Sequence, residues 1–232
     1  MAIYITGDIH GNPKQRFLEP FSALTADDIV IVCGDFGLPW WSRKMGKSWK
    51  DRKQLDWLEA QPYTVVFCDG NHENFKLLNN LPVKKWNGGN VHVIRPNVMH
   101  LMRGEIFNIC GMKILAFGGA HSTDREYREL NLSWWKEEIC SHDDIENLKN
   151  NIKTVGYQVD IVITHAAPMK FLDTKTNEIG IDWKFFHDEV SDLLTEIEPQ
   201  IKYQMWYFGH YHLDWIDSAK RCRGIYMDIE KL

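Results

Sequence analysis

An α/β fold, a two-sheet β-sandwich flanked by helices, is what this sequence predicts, and three observations carry it. Short apolar, β-branched runs recur along the chain. Segments of helical spacing alternate with them, and in the middle that alternation gives way to consecutive strands joined only by tight turns.

The runs Ala2 to Thr6, Asp28 to Cys33, Tyr63 to Cys68, Asp160 to Thr164 and Tyr203 to Phe208 are short, mostly apolar and rich in β-branched residues, as buried strands are. Between them, Lys14 to Leu24, Trp49 to Ala60, Asp144 to Val155 and Trp183 to Ile197 have helical periodicity. In the middle, Val91 to Ile94, Met99 to Arg103, Ile106 to Ile109 and Met112 to Phe117 are separated by Pro96-Asn97, Gly104 and Gly111, which predicts an antiparallel meander. A last pair, Leu213 to Asp217 and Gly224 to Ile229, is expected to join the same sheet. No repeat, low-complexity tract or Ser/Pro-rich linker interrupts the 232 residues, so 1–232 reads as one domain.

Composition weighs against several function classes. No run approaches the roughly 20 apolar residues of a membrane span, and Met1 to Thr6 has no basic leader, which predicts a cytoplasmic protein with no membrane partner. The net charge of -5 gives no basic footprint for nucleic-acid backbones. The five cysteines, Cys33, Cys68, Cys110, Cys140 and Cys222, are scattered and free of C-x-x-C spacing, so they read as buried apolar thiols. Oligomeric state and natural substrate leave no mark in the sequence.

Each of the five buried strands is followed at once by a polar cluster, at the end where open α/β sheets bind ligands. These clusters are Gly7-Asp8-Ile9-His10-Gly11, Gly34-Asp35, Gly70-Asn71-His72-Glu73, Thr164-His165 and Gly209-His210-Tyr211-His212. They supply two carboxylates (Asp8, Asp35), one amide oxygen (Asn71) and four imidazoles (His10, His165, His210, His212). That exceeds what one tetrahedral site uses and suits two divalent transition metals sharing a carboxylate, manganese foremost, with iron, zinc, cobalt or nickel as the alternatives. Such a pair leaves a cationic pocket matched to a phosphate ester, and His72 is free to protonate the leaving oxygen.

In this order the clusters resemble the five motifs of the calcineurin-like metallophosphoesterase superfamily, from Asp8 to His212. Gly-Asn-His-Glu alone should arise by chance in about one chain in a thousand of this length at average usage, so the match carries weight. The resemblance implies a four-layer arrangement, with one metal on Asp8, His10, Asp35 and His212 and the other on Asp35, Asn71, His165 and His210. It also implies a bridging Asp35, a metal-bridging hydroxide as nucleophile, and His72 as proton donor. The pattern is similar to that of the serine/threonine protein phosphatases and bis-nucleotide tetraphosphatases. It departs from them after Asp35, where those enzymes continue Gly-Asp as Gly-Asp-x-x-Asp-Arg-Gly while Gly34-Asp35 runs into Phe36-Gly37-Leu38-Pro39, and before Gly70, where Asp69 stands in place of Arg. The substrate is therefore left as a phosphomonoester or a phosphodiester, with a protein phosphatase, a cyclic-nucleotide phosphodiesterase and an inactive scaffold for protein contacts as alternatives.

Arg125 and Arg128 are i, i+3 neighbours that could grip a phosphate, against the plainer reading of a solvated face; Arg43 is a further candidate. Trp40, Trp41, Trp134 and Trp135 suggest a base-stacking wall, against ordinary packing. Trp57, Trp183 and Trp206 read as core. His121, in a segment that could overhang the site, stands apart from His92, His100, His142 and His187, which read as surface or structural. Asp69 and Glu73 are candidates to orient the Asn-His pair between them.

Overall fold

The computed structural model of the protein describes residues 1–17, 21–41, 48–172 and 187–232. Two mixed sheets face each other. The first has seven strands, and its outer positions carry the chain end and a hairpin (order β13-β1-β2-β3-β6-β5-β4). These are β1 (Ile3–Thr6), β2 (Ile29–Cys33), β3 (Thr64–Cys68), β4 (Val83–Trp86), β5 (Gly89–Arg95), β6 (Val98–Leu101) and β13 (Glu230–Lys231). The second has six strands in the order β11-β12-β10-β9-β8-β7. They are β7 (Ile106–Ile109), β8 (Met112–Phe117), β9 (Ile161–Thr164), β10 (Met205–Phe208), β11 (Trp215–Asp217) and β12 (Cys222–Gly224).

In both sheets the central strands run parallel: β1, β2, β3 and β6 in one, β8, β9, β10 and β12 in the other. Their side chains alternate between two apolar environments, which explains the unbroken apolar runs. In β2, Ile29, Ile31 and Cys33 point into the core between the sheets, with Ile163 and Tyr207 opposite. Val30 and Val32 point outward to Phe17, Leu55 and Leu58. On the far side of the second sheet, Leu148 and Ile152 of α4 (His142–Thr154) and Leu194 and Ile197 of α5 (Glu189–Ile197) cover Phe117, Val162 and Trp206. On the first sheet that role falls to α1 (Pro13–Arg16) and α2 (Ser48–Glu59), and α3 (Phe75–Leu78) follows β3 directly. Helix, sheet, sheet and helix make the four layers.

The central meander is corrected. β5 pairs with β6 and β7 with β8, both antiparallel, but β6 lies beside β3 in the first sheet whereas β7 and β8 belong to the second. A tight turn at Gly104 therefore carries the chain from one sheet to the other. There its backbone sits so close to α4 that a Cβ would stand 2.6 Å from the amide nitrogen of Leu148. The final pair is shorter than expected: β11 and β12 extend the second sheet, while the chain end returns to β1 as β13. The helix expected over Lys14 to Leu24 is a single turn, Pro13–Arg16, followed by a 3₁₀ turn, Phe21–Ala23, with residues 18–20 outside the described set. Trp183 and Arg43 also lie outside it. Of the thiols, Cys33, Cys68 and Cys222 are buried, but Cys110 is exposed and Cys140 only partly covered. Among the described residues no helix is long and apolar enough to cross a membrane.

Candidate metal centre

The carboxyl ends of β1, β2 and β3 in one sheet and of β9 and β10 in the other meet at one rim, and each delivers one polar cluster. The loops leave their strands through unusual backbone. Asp8, His10, Asp35, His210 and His212 all have positive φ, between 41° and 70°. This region costs a residue with a Cβ on the order of 1 kcal/mol or more, and such strain concentrates at functional sites. Two glycines are required by space. A Cβ on Gly34 would fall 2.1 Å from His165 Nδ1, and one on Gly70 2.1 Å from Asp35 Oδ1.

Four groups, Asp8, His10, Asp35 and His212, bring one ligand atom each to within 4.8 Å of one another. His10 Nε2 lies 3.1 Å from His212 Nε2, His212 Nε2 3.6 Å from Asp8 Oδ1, and His10 Nδ1 3.8 Å from Asp35 Oδ2. On the other side of Asp35, its Oδ1 is 3.2 Å from His165 Nε2, which is itself 3.1 Å from Asn71 Oδ1. The ring of His210 stands 4.9 Å from that of His165, centroid to centroid. All seven proposed ligands are thus brought together, with Asp35 between the two groups.

Hydrogen bonds outside the cluster fix the direction in which its lone pairs point. His165 Nδ1 donates to the carbonyl of Cys33 at 2.8 Å, so the Nε2 lone pair faces Asp35. Ser122 Oγ donates to Glu138 Oε2 at 2.7 Å and must therefore accept from the Asn71 amide nitrogen at 3.1 Å, which turns Asn71 Oδ1 inward. Three acceptors, His165 Nε2, Asp35 Oδ1 and Asn71 Oδ1, then converge in a dry pocket, and only a positive charge among them reconciles that arrangement. In the protein alone a proton serves. Although burial works against it, Asp35 and then Asp8 hold the His165 imidazole up to about 10. Burial also pushes the Asp8 carboxyl up to about 8, with His165 opposing and Asp35 adding to the rise. Asp35 is held well below its usual range by His165 and His72 despite its burial. The other imidazoles, His10, His210 and His212, are all lowered by burial, which leaves neutral ring nitrogens able to donate to a cation. Two divalent ions fit this donor set.

His72 stands at the mouth of the site, its Nε2 3.9 Å from Asp35 Oδ2 and its backbone N–H donating to Asp35 Oδ1 at 2.8 Å. A cleft of about 290 Å³ opens over it, lined by Asp35, Asn71, Thr123, Asp124, Arg128 and His212 among others. The guanidinium of Arg128 places its terminal nitrogens 3.1 Å from both ring nitrogens of His72 and is braced by Asp124 at 2.6 Å. Arg125 turns elsewhere: its Nη2 donates to the fully buried Glu138 at 2.8 Å, and its guanidinium lies over Trp134. His121 uses its backbone N–H to reach Asp188 at 2.6 Å.

The orienting roles suggested for Asp69 and Glu73 are corrected. Asp69 accepts from His100 and Arg103, and Glu73 from the backbone N–H groups of Phe36 and Gly37 at 2.8 and 3.0 Å, so Glu73 clamps the loop after Asp35 instead of turning a ligand. Ser122 and Glu138, which do orient Asn71, were missed. Ser122 lies in the segment expected to overhang the site, but there His121 is the residue the pattern singles out, and Glu138 lies in a charged stretch that reads as solvated.

The model of the family described as calcineurin-like phosphoesterase matches residues 1–214. Among curated proteins, the chain is 22% identical to lariat debranching enzyme A of Xenopus laevis over 92% of its own length and 43% of that protein's. It is 25% identical to the lariat debranching enzyme of Schizosaccharomyces pombe over 65% of this chain and 33% of that one. It thus spans less than half the length of these relatives. A solved putative 5'-nucleotidase from Staphylococcus aureus aligns with 99% of this chain and 50% of its own, at 15% identity and a TM-score of 0.47.

Proposed function

Since this chain belongs to the calcineurin-like phosphoesterase family, a class of binuclear divalent-metal phosphoester hydrolases, we propose that it hydrolyses a phosphate ester, and a diester in preference to a monoester. The observation that carries the reading is the convergence of three acceptors, His165 Nε2, Asp35 Oδ1 and Asn71 Oδ1, a cradle that a metal cation in place of a proton would satisfy. Asp8, His10, Asp35 and His212 would hold one metal, and Asp35, Asn71, His165 and His210 the other, with Asp35 shared. Two such ions would supply Lewis acidity and activate a water at neutral pH. Manganese suits the mixed nitrogen and oxygen donors.

The remaining work falls to the chain's own groups. Arg128 and His72 line the cleft together, in contact at 3.1 Å, and a phosphate bound in the cleft over them pairs with the guanidinium. His72 has its pKa lowered by burial first and by Arg128 among the nearby charges, with Asp35 opposing. An anionic substrate reverses that balance and favours the imidazolium. Water oxygen then bonds to phosphorus as the ester P–O bond breaks, the water gives up a proton to solvent, and His72 delivers its own proton to the leaving oxygen. The preference for a diester follows from charge. With Arg125 committed to Glu138, Arg128 is the arginine lining the cleft among the described residues, and one guanidinium matches one negative charge.

Elemental analysis of the protein purified without chelator, with hydrolysis of p-nitrophenyl phosphate and its bis ester measured with and without manganese, tests this. About two transition metals per chain and chelator-sensitive hydrolysis, faster on the bis ester, are expected. No bound metal and no hydrolysis of either ester with added manganese would overturn it. His72→Ala should slow esters with poor leaving groups far more than p-nitrophenyl esters, with metal content intact.

A further inference from the structure

Beside the metal cluster lies a larger cleft of about 490 Å³, and His10 and His72 belong to its lining as well as to the cluster. Its other walls come from the loop after Asp35 and the first turns of α2: Trp40, Trp41, Trp49, Lys50, Lys53 and Gln54. Hydrolysis of a phosphate ester needs no indole rings, so this wall has another use.

The wall is built in advance. Asp51, only 5% exposed on an otherwise charged helix, accepts from the backbone N–H of Trp40 at 2.7 Å and of Trp41 at 2.6 Å. Asn74 donates to the Trp40 carbonyl at 2.7 Å, and the Trp40 ring stands edge-on to the buried Trp135 at 5.3 Å. Trp49, at the start of α2, lines the same cleft and is 56% exposed, an indole that contributes little to the core. Gln54 Oε1 is buried without a hydrogen-bond partner among the described residues, an acceptor that calls for a donor. Lys50 and Lys53 add positive charge, while the nearby carboxylate of Asp51 is spent on backbone.

Aromatic faces, an unsatisfied amide acceptor and two ammonium groups next to a phosphate site together match one chemistry. A nucleobase offers a flat π face and N–H donors, and its sugar-phosphate chain brings anions for the lysines. An acyl chain would leave Gln54 and the lysines unmatched. We propose that this cleft binds the base and adjoining phosphate of a nucleotide esterified through the scissile phosphate, so that the substrate class is a nucleotidyl phosphodiester. The proposal rests on the phosphoesterase reading above. It is compatible with the net charge of -5, because a short nucleotide needs only local cations.

The test compares two diesters with the same leaving group, thymidine 5'-(p-nitrophenyl phosphate) and methyl p-nitrophenyl phosphate, on the manganese-loaded chain. The kcat/KM of the nucleoside ester should exceed that of the methyl ester by about tenfold or more, and Trp49→Ala and Trp41→Ala should each cut that ratio by about fivefold or more, the loss of one stacking contact. Trp49 is exposed, so its replacement leaves the core intact. Equal kcat/KM for the two esters, a ratio unmoved in both variants, or a stronger preference for a phosphotyrosine peptide would overturn the proposal. Calorimetric titration with thymidine 5'-monophosphate and with inorganic phosphate separates the two readings. If neither ester is hydrolysed, tighter binding of the nucleotide that Trp49→Ala abolishes would uphold the cleft and sink the phosphoesterase reading. Equal binding of nucleotide and phosphate would sink the cleft.

Discussion

The side-chain amide of Asn71 donates to the hydroxyl of Ser122 at 3.1 Å across 51 residues of sequence, and this one bond decides which end of the amide faces His165. Ser122 can accept it because its own proton is given to Glu138, which is fully buried and in turn held by Arg125. Ser122→Ala removes the partner that sets the amide. It should weaken metal binding by about 10- to 100-fold, the usual effect of losing a group that orients a ligand. Metal titration of the chelated protein reads this directly. A variant that binds metal as tightly as the parent would show that Asn71 needs no help.

Asp35 is the proposed shared member of both ligand groups, with its oxygens 3.2 Å from His165 and 3.8 Å from His10. It also accepts the backbone N–H of His72, so replacement by Ala would disturb the loop as well as the site. Asp35→Asn keeps a neutral acceptor there while removing the charge. Elemental analysis should find the occupancy of both metals reduced in that variant. Loss of one metal with the other retained would undo the bridging role.

The site was legible in sequence to the extent that it is local. Gly7-Asp8-Ile9-His10 and Gly70-Asn71-His72 each follow an apolar run, so their position at a strand end could be read from pattern alone, and the structure places them there. What surrounds them could not. Glu138 lies in a lysine- and glutamate-rich stretch that looks solvated, yet it is fully buried because Ser122 and Arg125 reach it from a different turn. Asp51 is disguised in the same way, since its partners Trp40 and Trp41 come from the preceding loop. The passage from β6 to β7 was misread because a tight turn within one sheet and a turn between sheets carry the same residues; only the pairing of β6 with β3 distinguishes them. β4 went unseen because Val83–Trp86 carries two lysines and is mostly exposed, as a sheet edge is.

Asp69 joins the Asn71 loop to the second sheet. Its carboxylate, 1% exposed, accepts from Arg103 Nε at 2.9 Å and from His100 Nε2 at 3.0 Å, while its carbonyl accepts from Gly119 at 2.9 Å. Despite burial, Arg103 and His100 hold the carboxyl well below its usual range. Asp69→Ala leaves the buried Arg103 without its main partner, with only Asp144 at 3.4 Å and the Glu137 carbonyl at 2.8 Å, and should cost about 3 kcal/mol. The double variant Asp69→Ala with Arg103→Met should recover a large part of that loss, because no charge remains stranded. Urea unfolding of the two variants checks this, and a double variant less stable than the single one would show that the pair contributes more than its mutual neutralisation.

The same network sets a pH dependence through His92. Since Asp69 can only accept, His100 carries its proton on Nε2, and its Nδ1 accepts from His92 Nδ1 at 3.0 Å, with the two rings stacked. Burial first, and then the proximity of His100, lowers the His92 imidazole from 6.5 to about 4. The folded state therefore refuses a proton that the unfolded chain takes up below 6.5, so this residue costs stability progressively as the pH falls from about 6.5 towards 4. Over the two units from 6.5 to pH 4.5, at roughly 1.4 kcal/mol per unit, the loss is on the order of 3 kcal/mol. Urea unfolding at neutral pH and near pH 4.5 should show a loss that His92→Asn, which has no proton to gain, reduces by about that amount. An identical acid slope in parent and variant would place the sensitivity elsewhere in the molecule.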